Sequence, residues 1–310
     1  MSGAAHFDRI ALIGFGLIGG SIARAAKEQG LAGEIVTTDR SAKTRARVVE
    51  LGIVDRVAET NAEATEGADL VILCIPVGAC GPVAAEIAGH LKPGAIVSDV
   101  GSVKGAISDA LAAASPPGVF VIPGHPIAGT EQSGPDAGFA ELFQNRWVIL
   151  TPQARDDEPY ADAVQGLRDF WTALGSNVEL MDDKHHDLVL AVTSHLPHLI
   201  AYNIVGTAAD LEEVAQGEVM KYSAGGFRDF TRIAASDPVM WRDVFLLNKD
   251  AVLEILGRFT EDLQALSRAI RWGEGEKLQQ LFTRTRAIRL GIVAAGQESA
   301  EPNFGRDRRG

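Results

Sequence analysis

Gly14-Phe15-Gly16-Leu17-Ile18-Gly19 lies between the apolar run Arg9-Ile10-Ala11-Leu12-Ile13 and the helix-forming stretch Ser21 to Gln29, a placement that narrows the possible folds more than any other feature of the chain. Strand, glycine turn and helix, in that order, open a dinucleotide-binding α/β unit. Gly14 permits the tight turn, Gly16 lets the backbone approach a pyrophosphate, and Gly19 lets helix and strand close on each other. The intervening Phe15, Leu17 and Ile18 belong to the same loop, where amide donors at the helix start face phosphates. Asp39 follows at the end of the second apolar run, about twenty residues beyond Gly19, the separation expected of a carboxylate on an adenosine ribose. That carboxylate favours NAD, because a 2′-phosphate would bring negative charge against it; Arg40 keeps NADP open. Ile75-Pro76 ends another strand at the cofactor edge, and reads equally well as a strand simply stopped by proline.

Strand-like runs at residues 34–38, 69–75, 95–99 and 118–122 alternate with helical ones at 42–51, 79–91 and 103–114, which predicts a mostly parallel sheet covered on both faces. Two more strands are expected at 147–151 and 177–181, around a helix at 160–174. After Met181 the apolar spacing becomes helical throughout. Asp182 or Asp183 can cap a helix running through His195, which Pro197 should kink. Ser236-Asp237-Pro238 starts a helix expected to reach Ile270, and a last helix is expected over 274–295. The fold class read from this is α/β: a Rossmann-type doubly wound domain over 1–181, an all-helical domain over 182–297, and a disordered tail over 298–310. The long helices carry more apolar surface than the second half can bury alone, so a homodimer is expected.

With a formal net charge of −12, the chain lacks the clustered cations of a nucleic-acid binder. A basic amino-terminal region followed by a long apolar stretch is missing, and no run of about 18 uncharged apolar residues is evident, so neither export nor a membrane partner is expected. The two cysteines, Cys74 and Cys80, sit too close along one strand-to-helix segment for a structural disulfide. The expected compartment is cytoplasmic, and the expected partner a small molecule.

Ser102, in Asp99-Val100-Gly101-Ser102-Val103-Lys104, follows a strand and precedes a helix, so it belongs at the carboxyl edge of the sheet; as a plain structural residue it would be a helix N-cap. Gly101 shares that turn. His125, in Gly124-His125-Pro126-Ile127-Ala128-Gly129-Thr130-Glu131, is expected at the end of the next strand on the same edge, beside the nicotinamide end of the cofactor site. There it can take a proton. His195 and His198 form an i,i+3 pair that invites a metal reading, but no third ligand is evident and none is expected. His185 and His186 read as exposed, near a helix start.

These segments, with Thr193-Ser194-His195-Leu196-Pro197-His198, Gly225-Gly226-Phe227-Arg228-Asp229-Phe230-Thr231-Arg232 and Ser236-Asp237-Pro238-Val239-Met240-Trp241-Arg242-Asp243, resemble the prephenate and arogenate dehydrogenases of tyrosine biosynthesis in consistent order from about Ile10 to Ala295. The resemblance implies oxidation of a cyclohexadienol with loss of carbon dioxide. It assigns proton acceptance to His125, orientation to Ser102 and a substrate carboxylate to Arg232, and it makes His195 and His198 pocket residues. Thr130 and Glu131 would line the mouth, where Glu131 and Asp229 could pair with arginines and gate access. The chain ends soon after the last helix, so any feedback by tyrosine is expected at the active site or the dimer interface. Two other readings stay open: a 3-hydroxyacid or imine-type dehydrogenase, and a nonenzymatic dinucleotide sensor.

Overall fold

The computed structural model describes residues 6–130, 132–212 and 225–294. Strand β1 (Phe7–Ile13) is the centre of a parallel six-stranded sheet. Its order is β3 (Arg56–Val57), β2 (Ala32–Thr38), β1, β4 (Leu70–Leu73), β5 (Ile96–Asp99), β6 (Phe120–Val121). The period-two rule explains the two cores: Ile10 and Leu12 of β1 with Leu70 and Ile72 of β4 point to one face, while Ala11 and Ile13 with Val71 and Leu73 point to the other. Helices α1 (Leu17–Gln29) and α6 (Glu158–Ala173) supply the first face, with Ile22, Phe170 and Trp171 fully buried. The second face takes α4 (Val77–Ile87) and α5 (Gly105–Ala114), and also Trp241 and Val244 of the helix Pro238–Leu247. Strand order reverses between β1 and β4, the position at which open α/β sheets form a ligand crevice.

The ladder of β6 stops after Ile122: the next N–H in phase, that of Gly124, bonds the side chain of Asp99 instead of its carbonyl. The expected strand at 118–122 is therefore shortened, and the chain enters a second, three-stranded sheet: β7 (Gly124–Pro126), β8 (Trp147–Leu150) and β9 (Asn177–Leu180). There β7 runs antiparallel to β8, with His125 opposite Ile149. His125 thus sits in the middle of a short strand of its own rather than at the end of a strand of the main sheet.

Two helical expectations are also corrected. The turn Ala191–His195, between α7 (Asp183–Leu190) and α8 (Leu196–Glu212), is widened so that Leu196 N–H bonds the carbonyl of Ala191, five residues back. Pro197 accounts for this: it cannot donate, and its ring crowds the carbonyl four residues earlier, so a wider turn replaces a simple kink. The helix expected over 238–270 is broken at Asn248 (φ −108°, ψ 32°), giving Pro238–Leu247 and Lys249–Arg271; Asp237 caps the first by accepting from Val239 and Met240 N–H.

The stretch Asp183–Leu211 is long and apolar enough to cross a membrane by length and composition. One face of it carries His186, Asp187 and His195 into the protein interior. The chain divides into two compact units between Val252 and Leu253. In the second unit, the helices within Leu253–Ala294 expose Leu263, Ile270, Phe282, Ile288 and Ile292, and the turn between them exposes Trp272. The expected tail over 298–310 and the end of the last helix at Ala295 lie outside the described residues, as does Glu131.

Candidate active site

The glycine loop is built by what its residues lack. Gly14 holds φ +91°, a left-handed conformation, and a Cβ there would lie 2.6 Å from the carbonyl oxygen of Cys74. At Gly19 a Cβ would lie 2.5 Å from the carbonyl oxygen of Gly14, so helix and turn close only around glycine. Gly16 differs: nothing lies within 4 Å of its Cβ position. Glycine at 16 serves no contact of the protein itself, and leaves backbone open to a ligand. Asp39 stands beside it, accepting from Phe15 N–H at 3.1 Å and Ser41 N–H at 2.8 Å, while Arg40 is exposed. Pro76 precedes α4 at the same edge, and Gly101 packs so tightly that a Cβ would meet Val77 at 2.6 Å. These features fit a dinucleotide.

Beyond Gly101 the site is made of long-range side-chain bonds. Lys104, fully buried, donates from Nζ to Asp99 and, at 2.7 Å, to the carbonyl of Gly124. Asp99 also accepts from Gly101 and Gly124 N–H. The carboxyl end of β5 is thereby tied to the residue preceding His125. Ser102 is half-buried in this turn but is not a helix cap, because α5 begins at Gly105. The amides of Lys104 and Gly105 are taken instead by the carboxylate of Asp187, at 2.7 and 2.9 Å, from α7.

His125 is buried, with Nδ1 2.9 Å from Nε2 of His186, whose own Nδ1 is 2.9 Å from Asp187. Burial above all, then the neighbouring His186, Lys104 and His195, hold His125 well below the ordinary histidine value, so it is neutral near pH 7. Burial likewise lowers His186, against the opposing pull of Asp187. Desolvation alone would raise Asp187, but the hydrogen bonds from His186, Lys104 and Gly105 outweigh it and keep the carboxyl ionised.

His195 faces this group from the widened turn. Its Nδ1 is 3.1 Å from the Asn248 amide nitrogen, which also donates to the carbonyl of Asp187 at 2.8 Å. The Nδ1 is therefore an acceptor and the proton lies on Nε2, which has no hydrogen-bond partner of ordinary geometry among the described residues. Burial pushes His195 down to about 4. His198 stacks on Trp241, with centroids 3.6 Å apart, and bonds the carbonyl of Ser194. Burial and the nearby Arg232 lower its pKa. Trp241 also buries an indole N–H that no side chain or backbone group of the described residues satisfies. The His195 ring interacts with the backbone of Ser102, whereas Trp241 Nε1–H is a buried donor without a partner among the described residues. Arg232 is exposed in the turn Arg232–Ala235, and Thr130 Oγ accepts from Gln132 N–H.

Sequence reasoning missed His186, Asp187, Asn248 and Lys104. The reading of His186 as exposed is overturned: it is fully buried. In a regular helix, nine residues rotate the chain by about two and a half turns and set His186 and His195 on opposite faces. The widened turn alters that phase, and both point inward. A usable signal was present in the i,i+4 spacing of His186 and Leu190, both buried.

Family models agree with this architecture. Residues 22–180 match the nucleotide-binding domain of prephenate dehydrogenase, and 182–284 its dimerization domain. The chain belongs to the prephenate dehydrogenase family. It is 44% identical to the cyclohexadienyl dehydrogenase of Zymomonas mobilis, over 92% of this chain and 96% of that protein. To the prephenate dehydrogenase of Bacillus subtilis it is 33% identical, over 96% and 79%. In three dimensions it resembles the A. aeolicus prephenate dehydrogenase solved with hydroxyphenyl propionate and NAD+, with a TM-score of 0.85, 34% identity, and coverage of 92% and 98%.

Proposed function

We propose that this protein catalyses the NAD-dependent oxidative decarboxylation of prephenate to 4-hydroxyphenylpyruvate, of arogenate to tyrosine, or of both, in tyrosine biosynthesis. The observation that carries the reading is a buried, neutral histidine with a fixed hydrogen-bond partner, tied to the carboxyl end of β5 in the same sheet whose β1 leads into a glycine loop open at Gly16. Gly14, Gly16, Gly19, Asp39, Pro76 and Gly101 would hold the cofactor. NAD, when bound, supplies the hydride acceptor for the ring carbon that bears the hydroxyl.

His125 accepts the hydroxyl proton as that carbon takes on carbonyl character. Loss of the ring carboxylate as carbon dioxide then makes the ring aromatic, and the proton held by His125 returns to the oxygen. Protons balance without a further donor. Ser102 orients the reacting groups, Arg232 holds a substrate carboxylate as a bidentate donor, and His195, His198 and Thr130 line the pocket. The functional division falls at 181/182, which the ranges of the two family models support. A homodimer is supported by the match to a dimerization domain and by the apolar residues exposed beyond Leu253. A cytoplasmic location follows from the biosynthetic role.

The test is NADH or NADPH formation, followed by absorbance, with prephenate and arogenate each supplied with NAD and with NADP. Turnover with NAD and either substrate is the expected result. Binding of NAD without turnover of either would overturn the reading. Arg232→Gln is expected to raise the substrate KM about 10- to 100-fold, the loss of a charged hydrogen bond, with kcat less affected; an unchanged KM would place the carboxylate elsewhere.

A further inference from the structure

Asp187 is an acceptor only, and three N–H groups converge on it: Lys104 and Gly105 from the start of α5, and His186 Nδ1. The proton between Asp187 and His186 therefore belongs to His186 Nδ1. A neutral imidazole carries one proton, so His186 Nε2 is left as an acceptor. Its partner at 2.9 Å is His125 Nδ1, which must donate. The bare nitrogen of His125 is then Nε2. We propose that His186 and Asp187 are positioning residues that fix His125 as the Nδ1–H tautomer, leaving Nε2 as the atom that takes the substrate proton.

The proposal rests on His125 being the proton acceptor, and deepens that assignment. Two further features agree with it. Asn248 breaks its helix to bond the Asp187 carbonyl, which anchors the backbone from which both residues of the pair project. The carboxylate also caps α5, so its position is set by two backbone amides as well as by the bond to His186. Which nitrogen of a catalytic histidine is free depends on what its other nitrogen bonds, and a carboxylate at the far end of the chain removes the ambiguity. An intervening neutral imidazole does this without placing a negative charge directly against the base.

The test is a long-range proton–nitrogen NMR spectrum of the enzyme labelled with 15N-histidine and free of cofactor, in which protonated and bare ring nitrogens resonate far apart. The wild-type protein is expected to show His125 protonated at Nδ1 and bare at Nε2. His186→Phe removes the acceptor and is expected to convert His125 to a mixture of tautomers, with kcat at least about tenfold lower, the KM for NAD little changed and the pH profile of kcat displaced. His186→Gln, whose amide oxygen can accept from Nδ1–H, should restore the tautomer and most of kcat, which a merely structural role for position 186 would not require. Asp187→Asn, which can offer either an oxygen or an N–H to His186, is expected to give an intermediate mixture, and serves if His186→Phe does not fold. A wild-type His125 protonated at Nε2 overturns the proposal, as does an unchanged tautomer in both His186→Phe and Asp187→Asn. An Nδ1–H tautomer in a wild-type enzyme that turns over neither substrate supports the positioning and overturns the reaction assigned to it.

Discussion

The two ends of the site are made in opposite ways. At the nucleotide edge, Gly14, Gly16 and Gly19 work by having no side chain, and all three lie within six residues of sequence. At the proton-accepting end, function depends on side chains gathered from β5, β7, α7 and the break at Asn248, with Asp187 reaching amides 83 and 82 residues away. A binding surface of backbone is encoded locally and tolerates distant change. A histidine held in one tautomer is encoded globally, and is sensitive to every element that contributes a contact.

His125→Asn should break the comparison most severely. Turnover is expected to fall by about 10²- to 10⁴-fold while NAD affinity, measured by titration of the purified protein, stays near wild type. Comparable losses in both would mean that the two ends are one cooperative unit. Acid should come next in size. An unfolded histidine titrates near 6.5, whereas His125, His186 and His195 are all held lower when folded. Their contribution to stability is complete above about pH 6.5 and is lost as pH falls toward the folded values. For His195, lowered to about 4, the loss is about 3 kcal/mol, measurable as a fall in denaturant midpoint between pH 7 and 4. A flat midpoint over that interval would contradict the buried, neutral state.

The smallest effects should sharpen the contrast within the glycine loop. Gly14→Ala forces a Cβ against the Cys74 carbonyl at positive φ, and is expected to lower stability by at least about 1 kcal/mol. Gly16→Ala meets no protein atom, and should leave Tm unchanged while raising the KM for NAD. If both variants lost stability equally, the openness at Gly16 would not be a ligand space.

What was legible in the sequence follows the same division. The glycine turn, the carboxylate at Asp39, the alternating strands of a parallel sheet and the Asp237–Pro238 helix start are all local signals, and the structure places each as expected. His125 was legible as a residue but not as a partner. Ser102 has the sequence of an N-cap, yet the cap of α5 arrives from Asp187, whose neighbours give no sign of that destination. Asn248 lies inside a stretch with unbroken helical spacing, and only its bonds to Asp187 and His195 explain why the helix stops there.

The clamp on α5 also orders events in the life of the molecule. A chain synthesised only as far as Met181 already contains every glycine of the nucleotide loop and His125 itself, but neither His186 nor the carboxylate that ends the tautomer chain. Its histidine is free to present either nitrogen. On the tautomer proposed above, competence for proton transfer is acquired only after α7 and Asn248 have been made, when Asp187 can close over amides that precede it by 83 and 82 residues.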